Sequence, residues 1–216
     1  MPRKLDWTEM VLDASQDDGD MFLECLKSRK VLGNNDSYEK VARSIREKAF
    51  TGKEGGTDSF TFDWRMDVEQ KPIVSIGSDE DPFVGITTKT LLRRMDHPPE
   101  SFTFHMDATF KLNQVGYPAF VVGISDRARR FHLVALLIAS QRIEEIYRMT
   151  LASLRRVHHA VTTSQIHMRF VVSDAEDAQF NGFESVFRVD SDFQNLMCFF
   201  HMMVKVQERT KSMPPD

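Results

Sequence analysis

From residue 101 onward the chain alternates between runs that suit strands and runs that suit helices. SFTFHMDATF, YPAFVVGISD and RFHLVALLIAS are apolar or alternating stretches of strand length, separated by KLNQVG and DRAR. Short polar connectors between such runs predict three consecutive antiparallel strands. Residues 141–163 then place Ile143, Ile146, Tyr147, Leu151, Leu154 and His158 at three- and four-residue steps. That spacing predicts a helix over 143–160 that covers one sheet face through Ile146, Leu151 and Leu154. MRFVVSDA reads as a short buried strand ending at Asp174, and DAQFNGFESVFR has helical spacing through Phe180, Phe183 and Phe187. NLMCFFHMMV reads as a strand running into a further helix.

Three strands, helix, strand, helix, strand, helix is the order of an RNase H-like mixed sheet of the α/β (α+β) class, flanked by helices. In that order the first strand and the fourth lie side by side at the centre.

The texture upstream is different. Residues 20–50 have apolar positions at roughly helical spacing, broken by GNND at 33–36, and predict two short helices joined by a turn. VARSIREKAF offers few side chains able to read base edges, so packing is the plainer use of this pair. TGKEGGTD at 51–58 is a flexible polar connector, and 60–82 reads as a loop with a strand or two. FVGITTKTLLRRM at 83–95 predicts a short helix that begins near Thr87 or Thr88, either of which could cap it, and is ended by HPPE at 97–100. The expected organisation is a small helical and irregular extension over 1–96 and a partial catalytic-type domain over 97–216, incomplete at its C-terminus.

Composition narrows the classes. No run of 18 apolar residues and no apolar stretch behind the initial charges is present, which supports neither a membrane span nor a secretory signal. An intracellular protein, nuclear or cytoplasmic, is expected. Two cysteines, Cys25 and Cys198, are too few for a disulfide framework or a four-thiolate zinc site. The net charge of −4 argues against a free-standing nucleic-acid binder. The acidity belongs to residues 1–100, with 15 basic and 20 acidic side chains, whereas residues 101–216 carry 13 and 12. Arg127, Arg129 and Arg130 form a local basic spot that suits either phosphate or plain solvation.

In the predicted topology Asp107, late in the first strand, and Asp174, at the end of the fourth, become neighbours although 67 positions separate them. Two adjacent carboxylates repel unless one protonates or a cation neutralises both, and oxygen ligands of this kind suit Mg²⁺ or Mn²⁺. Each aspartate alone has an ordinary explanation as a strand-ending turn or, for Asp174, a helix cap. Their shared address in the topology is what favours chemistry.

DATFK with its later GYP, SDAxxAQ from Ser173 to Gln179, and the Cys-x-x-His of CFFH occur in that order. Over residues 100–205, and more loosely back through GITTKTLLRRM, the chain resembles the catalytic domain of Mutator-like (MULE) transposases of the DDE class. The resemblance implies that Asp107 and Asp174 are the first two metal-binding catalytic carboxylates, with Mg²⁺ or Mn²⁺ as cofactor, and that complete relatives act on transposon-end DNA. Cys198 and His201 match the family's Cys-x-x-His signature. That spacing is half of a tetrahedral zinc site, with only Cys25 and scattered histidines to complete it, so zinc is not expected.

The family's third acid is a Glu far beyond this motif. Glu208 is the remaining candidate here, 34 positions after Asp174, and it keeps company with Lys205, Arg209 and Lys211. A solvated surface Glu is the plainer reading. The expectation is a transposase-derived, truncated and inactive copy, with an exposed apolar patch near Phe199 and Phe200 and a tendency to self-associate. The alternatives are a domesticated DNA-binding regulator and an active RNase H-like nuclease using Glu208.

Overall fold

The structure is a computed structural model that describes residues 45–62, 83–109, 118–139, 141–174 and 176–211. Most of the helix pair expected over 20–50, the segment 63–82 and Cys25 lie outside the described residues. In chain order the elements are β1 Phe60–Phe62, β2 Phe83–Thr87, α1 Lys89–Leu92 with a 3-10 turn at Arg93–Met95, β3 Phe102–Thr109, β4 Ala119–Asp126 and β5 Phe131–Ala139. They continue as α2 Glu144–Thr162, β6 Phe170–Ser173, α3 Asp177–Phe187, β7 Gln194–Met197 and α4 Phe199–Lys211.

All seven strands join one mixed sheet in the order β1-β2-β5-β4-β3-β6-β7. The meander of β3, β4 and β5 is antiparallel, and α2 is the crossover that returns the chain as β6, parallel to β3. The RNase H-like order read from the sequence is observed, with its first and fourth strands adjacent. Phe102, Phe104 and Met106 of β3 alternate into the core, and Phe120, Val122 and Ile124 of β4 join them. A smaller cluster of Ala119, Val121, Leu133 and Leu136 occupies the other face.

Helix α2 buries Ile146, Tyr147, Leu151, Leu154, Val157 and His158 as one stripe. Ile143, expected in that stripe, is 47% exposed because it is the extended N-cap residue, outside the helical repeat. In α3 Phe183 and Phe187 are fully buried, whereas Phe180 is 36% exposed. It lies in the first turn of α3, ahead of the buried pair.

The two helices touch where α3 has no side chain. A Cβ placed on Gly182 would lie 2.7 Å from the Cβ of Tyr147, closer than packed atoms come. Gly182→Ala should therefore lower stability by about 1–3 kcal/mol through overpacking. The gain in helix propensity, about 1 kcal/mol, offsets part of that cost and leaves a net loss of up to about 2 kcal/mol. Urea unfolding of the variant against the parent checks the sign.

The short helix expected to begin near Thr87 or Thr88 is present, and the residues ahead of it form a strand. Thr88 does cap α1, accepting from the Leu91 amide at 3.1 Å, but Phe83–Thr87 forms a strand against β5. Its β-branched residues suit a sheet, and Gly85 leaves room for the Phe62 ring, which a Cβ would meet at 2.3 Å. β1 and β2 thus extend the same sheet upstream of residue 97, and Phe60, Phe62, Leu92 and Met95 share its core. The change of texture near 97 marks the start of the longer strands, not the edge of the sheet.

Candidate metal centre

Parallel pairing of Phe104 with Val171 and His105 with Val172 sets the level of β6 against β3. Two residues further along each strand, Asp107 and Asp174 arrive side by side. Asp107 has the opposite parity to Phe104 and Met106, so it leaves the core face. Both aspartates are nevertheless 8% exposed.

The chain after β7 completes the site. The Cys198 amide donates to the Ser173 carbonyl at 2.9 Å, which ties the start of α4 to the residue just before Asp174. Three residues on, the Nδ1 atom of His201 lies 2.7 Å from Oδ1 of Asp174, a contact that needs one proton between the two. The Cys-x-x-His spacing thus has a physical use here. The backbone of Cys198 is the anchor, and one helical turn brings the imidazole to the carboxylate.

One ligand atom each from Asp107, Asp174 and His201 lie within 4.8 Å of one another. Ligands of one small divalent cation at about 2.1 Å stand no more than about 4.2 Å apart. Side-chain rotations of less than about 1 Å therefore close this cluster on an ion. Two carboxylates and an imidazole are donors that suit Mn²⁺ and, less well for the nitrogen, Mg²⁺.

The electrostatics point the same way. Burial, and then the charge of Asp107, raise the pKa of Asp174 to about 7, while Arg142 acts in the opposite sense. Burial also raises that of Asp107, against the pull of His201. Negative charge at this spot is incompletely compensated by the protein, which is the condition a cation relieves.

Arg142, in the connector before α2, belongs to no sequence pattern, yet it stands at the centre of the surrounding polar groups. Its Nη2 lies 3.2 Å from Oδ2 of Asp174 and 2.5 Å from Oε1 of Glu176. Its Nε donates to the Tyr147 hydroxyl at 3.3 Å, and that hydroxyl donates to Oε2 of Glu176 at 3.3 Å. The guanidinium is held on one side of Asp174 and the imidazole on the other.

The remaining sequence candidates fall elsewhere. Arg127, Arg129 and Arg130 sit at the β4–β5 turn beside Asp126, which pairs with Phe102 at the opposite end of β3 from Asp107. Glu208 lies on α4 seven positions after His201, and its side chain is outside the described residues. Near the site Leu196, Met197, Phe199 and Val206 are 42–59% exposed, so the apolar patch expected around Phe199 is present, with the Phe200 side chain outside the described residues. No described helix is long and apolar enough to cross a membrane.

Residues 103–205, just under half of the chain, match the family model described as the MULE transposase domain. No curated protein and no solved structure matches the chain.

Proposed function

From residues 103–205, which belong to the MULE transposase family, we propose that the chain carries the divalent-cation site of a DNA phosphoryl-transfer domain, with Asp107, Asp174 and His201 as ligands. The observation that carries this reading is the meeting of these three groups within 4.8 Å across two strands and a helix. A bound divalent ion supplies Lewis acidity that activates an attacking hydroxyl and stabilises a leaving oxygen, and such sites commonly use two ions about 3.5–4 Å apart.

The chain's own part in that chemistry is preorganisation. Asp107 and Asp174 offer oxygen ligands from rigid strands. His201 stands with Nδ1 against one oxygen of Asp174, and Arg142 keeps the second oxygen turned to the other side. Among the described residues three donors gather for one cation, whereas two ions placed for in-line attack call for further acidic ligands. We therefore expect the 216-residue chain by itself to bind Mn²⁺ and to leave DNA uncut.

Metal binding must expel the proton that Asp174 retains up to about pH 7. Mn²⁺ affinity should fall by up to about tenfold per pH unit below that point and level off above it. The metal-free fold should behave oppositely. A carboxyl whose folded pKa lies above its unfolded value makes the fold less stable as pH rises from about 4 to about 7. Titration calorimetry with Mn²⁺ between pH 5.5 and 8.5 tests the first part, and a pH-independent affinity would contradict it.

Plasmid nicking with Mg²⁺ or Mn²⁺ tests the second expectation, and intact supercoiled DNA is the expected result. Cleavage that disappears in both Asp174→Asn and Glu208→Gln would overturn it and make Glu208 the third acid of a complete site.

A further inference from the structure

A side chain on a third element bridges the two strands beside the aspartates. β3 and β6 are paired at Phe104 with Val171 and at His105 with Val172, and the ladder stops there, two residues short of the carboxylates. Beyond that point no further pairing joins them, and the fully buried amide of Gln179, from the first turn of α3, bridges the two backbones. Its Oε1 accepts from the Asp174 amide at 2.8 Å. Its Nε2 donates to the Met106 carbonyl at 2.8 Å. Both partners are backbone groups of fixed polarity, so the orientation of the Gln179 amide is determined by its neighbours.

The side chain does what a peptide unit of the ladder would do, but across a wider gap. It satisfies one backbone donor and one backbone acceptor that would otherwise be buried without a partner. One of those groups belongs to Asp174 itself, and the other belongs to the residue immediately before Asp107. One amide thus links the backbone of Asp174 to that of the residue before Asp107. With Gln179 absent, the strands would either close toward direct pairing or open to admit water, and either movement changes the ligand spacing.

We propose that Gln179 is a positioning residue that holds Asp107 and Asp174 at cation-binding separation, an inference that rests on the metal-site reading. It explains the last residue of the SDAxxAQ motif. A glutamine five positions after Asp174 lies one turn into α3, where it reaches back to the strand end it follows. Gln179 touches no reacting group and acts through the two backbones.

The test is Gln179→Met, which keeps chain length and approximate volume but removes both hydrogen bonds. Mn²⁺ affinity measured by calorimetry at pH 8 should weaken about 10–100-fold, the usual effect of removing a group that orients metal ligands. Phe187→Leu, a buried change farther along α3, serves as a comparison for stability loss and should leave Mn²⁺ affinity within about twofold of the parent. A merely structural role for Gln179 predicts that both variants lose stability and neither loses affinity, and that outcome would overturn the proposal. Failure of the underlying reading looks different, because Asp107→Asn and Asp174→Asn would then bind Mn²⁺ as the parent does. If Gln179→Met does not fold, Gln179→Glu keeps the acceptor and removes the donor to Met106. Its carbonyl-stretch spectrum with and without Mn²⁺, compared with the parent, should show altered carboxylate coordination, and an unchanged spectrum would count against the proposal.

Discussion

Asp107→Asn should abolish saturable Mn²⁺ binding at pH 8 while raising the melting temperature of the metal-free protein. Asparagine keeps the size of the side chain and the acceptor that the Ala108 amide uses at 2.8 Å, so the strand has no reason to move. What disappears is one of two buried negative charges whose ligand atoms lie within 4.8 Å of each other. Divalent affinity depends steeply on the number of charged ligands, and a loss of about 100-fold or more is expected. In the metal-free protein the same change removes a buried carboxylate whose ionisation burial already opposes. A gain on the order of 1 kcal/mol, or about 2–4 °C for a chain of this size, should follow. Opposite signs for binding and stability distinguish a ligand site from a structural ion pair, whose loss would cost stability. Differential scanning calorimetry with and without Mn²⁺ measures both.

Phe183→Ala should lower stability by about 3–5 kcal/mol, more than Gly182→Ala one position earlier on the same helix. The Phe183 ring is fully buried and stands edge-on to Phe104 of β3, with centroids 5.7 Å apart, and it also meets Phe187 and Phe193. Removing it leaves a cavity bounded by a strand, its own helix and the loop leading to β7, none of which can collapse inward alone. The consequence reaches the site, because α3 carries Gln179 and the hydrogen bonds that join Asp174 to Met106. Urea denaturation should show the midpoint shift, and Mn²⁺ affinity of the residual folded fraction should fall as well. A stability loss below about 1 kcal/mol would mean that α3 is held by other contacts.

Periodicity carries most of the fold because its elements are long and one-sided. The eight-residue β3 alternates Phe102, Phe104 and Met106 inward, and α2 repeats its buried stripe from Ile146 to His158, more than three turns. Topology then locates the two aspartates, since the RNase H-like order sets the fourth strand beside the first, as β6 lies beside β3. β2 is harder to read, because five residues with an internal glycine hold too little pattern to separate a strand from the start of a helix. Gly85 makes sense only once the Phe62 ring is seen above it. At the site, Arg142 gives no signal, since an arginine in a polar connector resembles any solvated one until Asp174 and Glu176 are placed around it. The Cys-x-x-His motif foreshadows the contact of His201 with Asp174 but not its direction. Distances across a sheet edge depend on where a strand ends, and that depends on the Cys198 amide reaching the Ser173 carbonyl.

Whether Asp107, Asp174 and His201 are ligands of one divalent cation is decided most directly by an anomalous-scattering crystal structure of the protein grown at pH 8 with Mn²⁺. A manganese peak is expected about 2.1–2.3 Å from a carboxylate oxygen of each aspartate. The His201 imidazole should have turned from Asp174 to the metal. A peak bound elsewhere, or saturating Mn²⁺ with no peak between Asp107 and Asp174, would contradict this assignment.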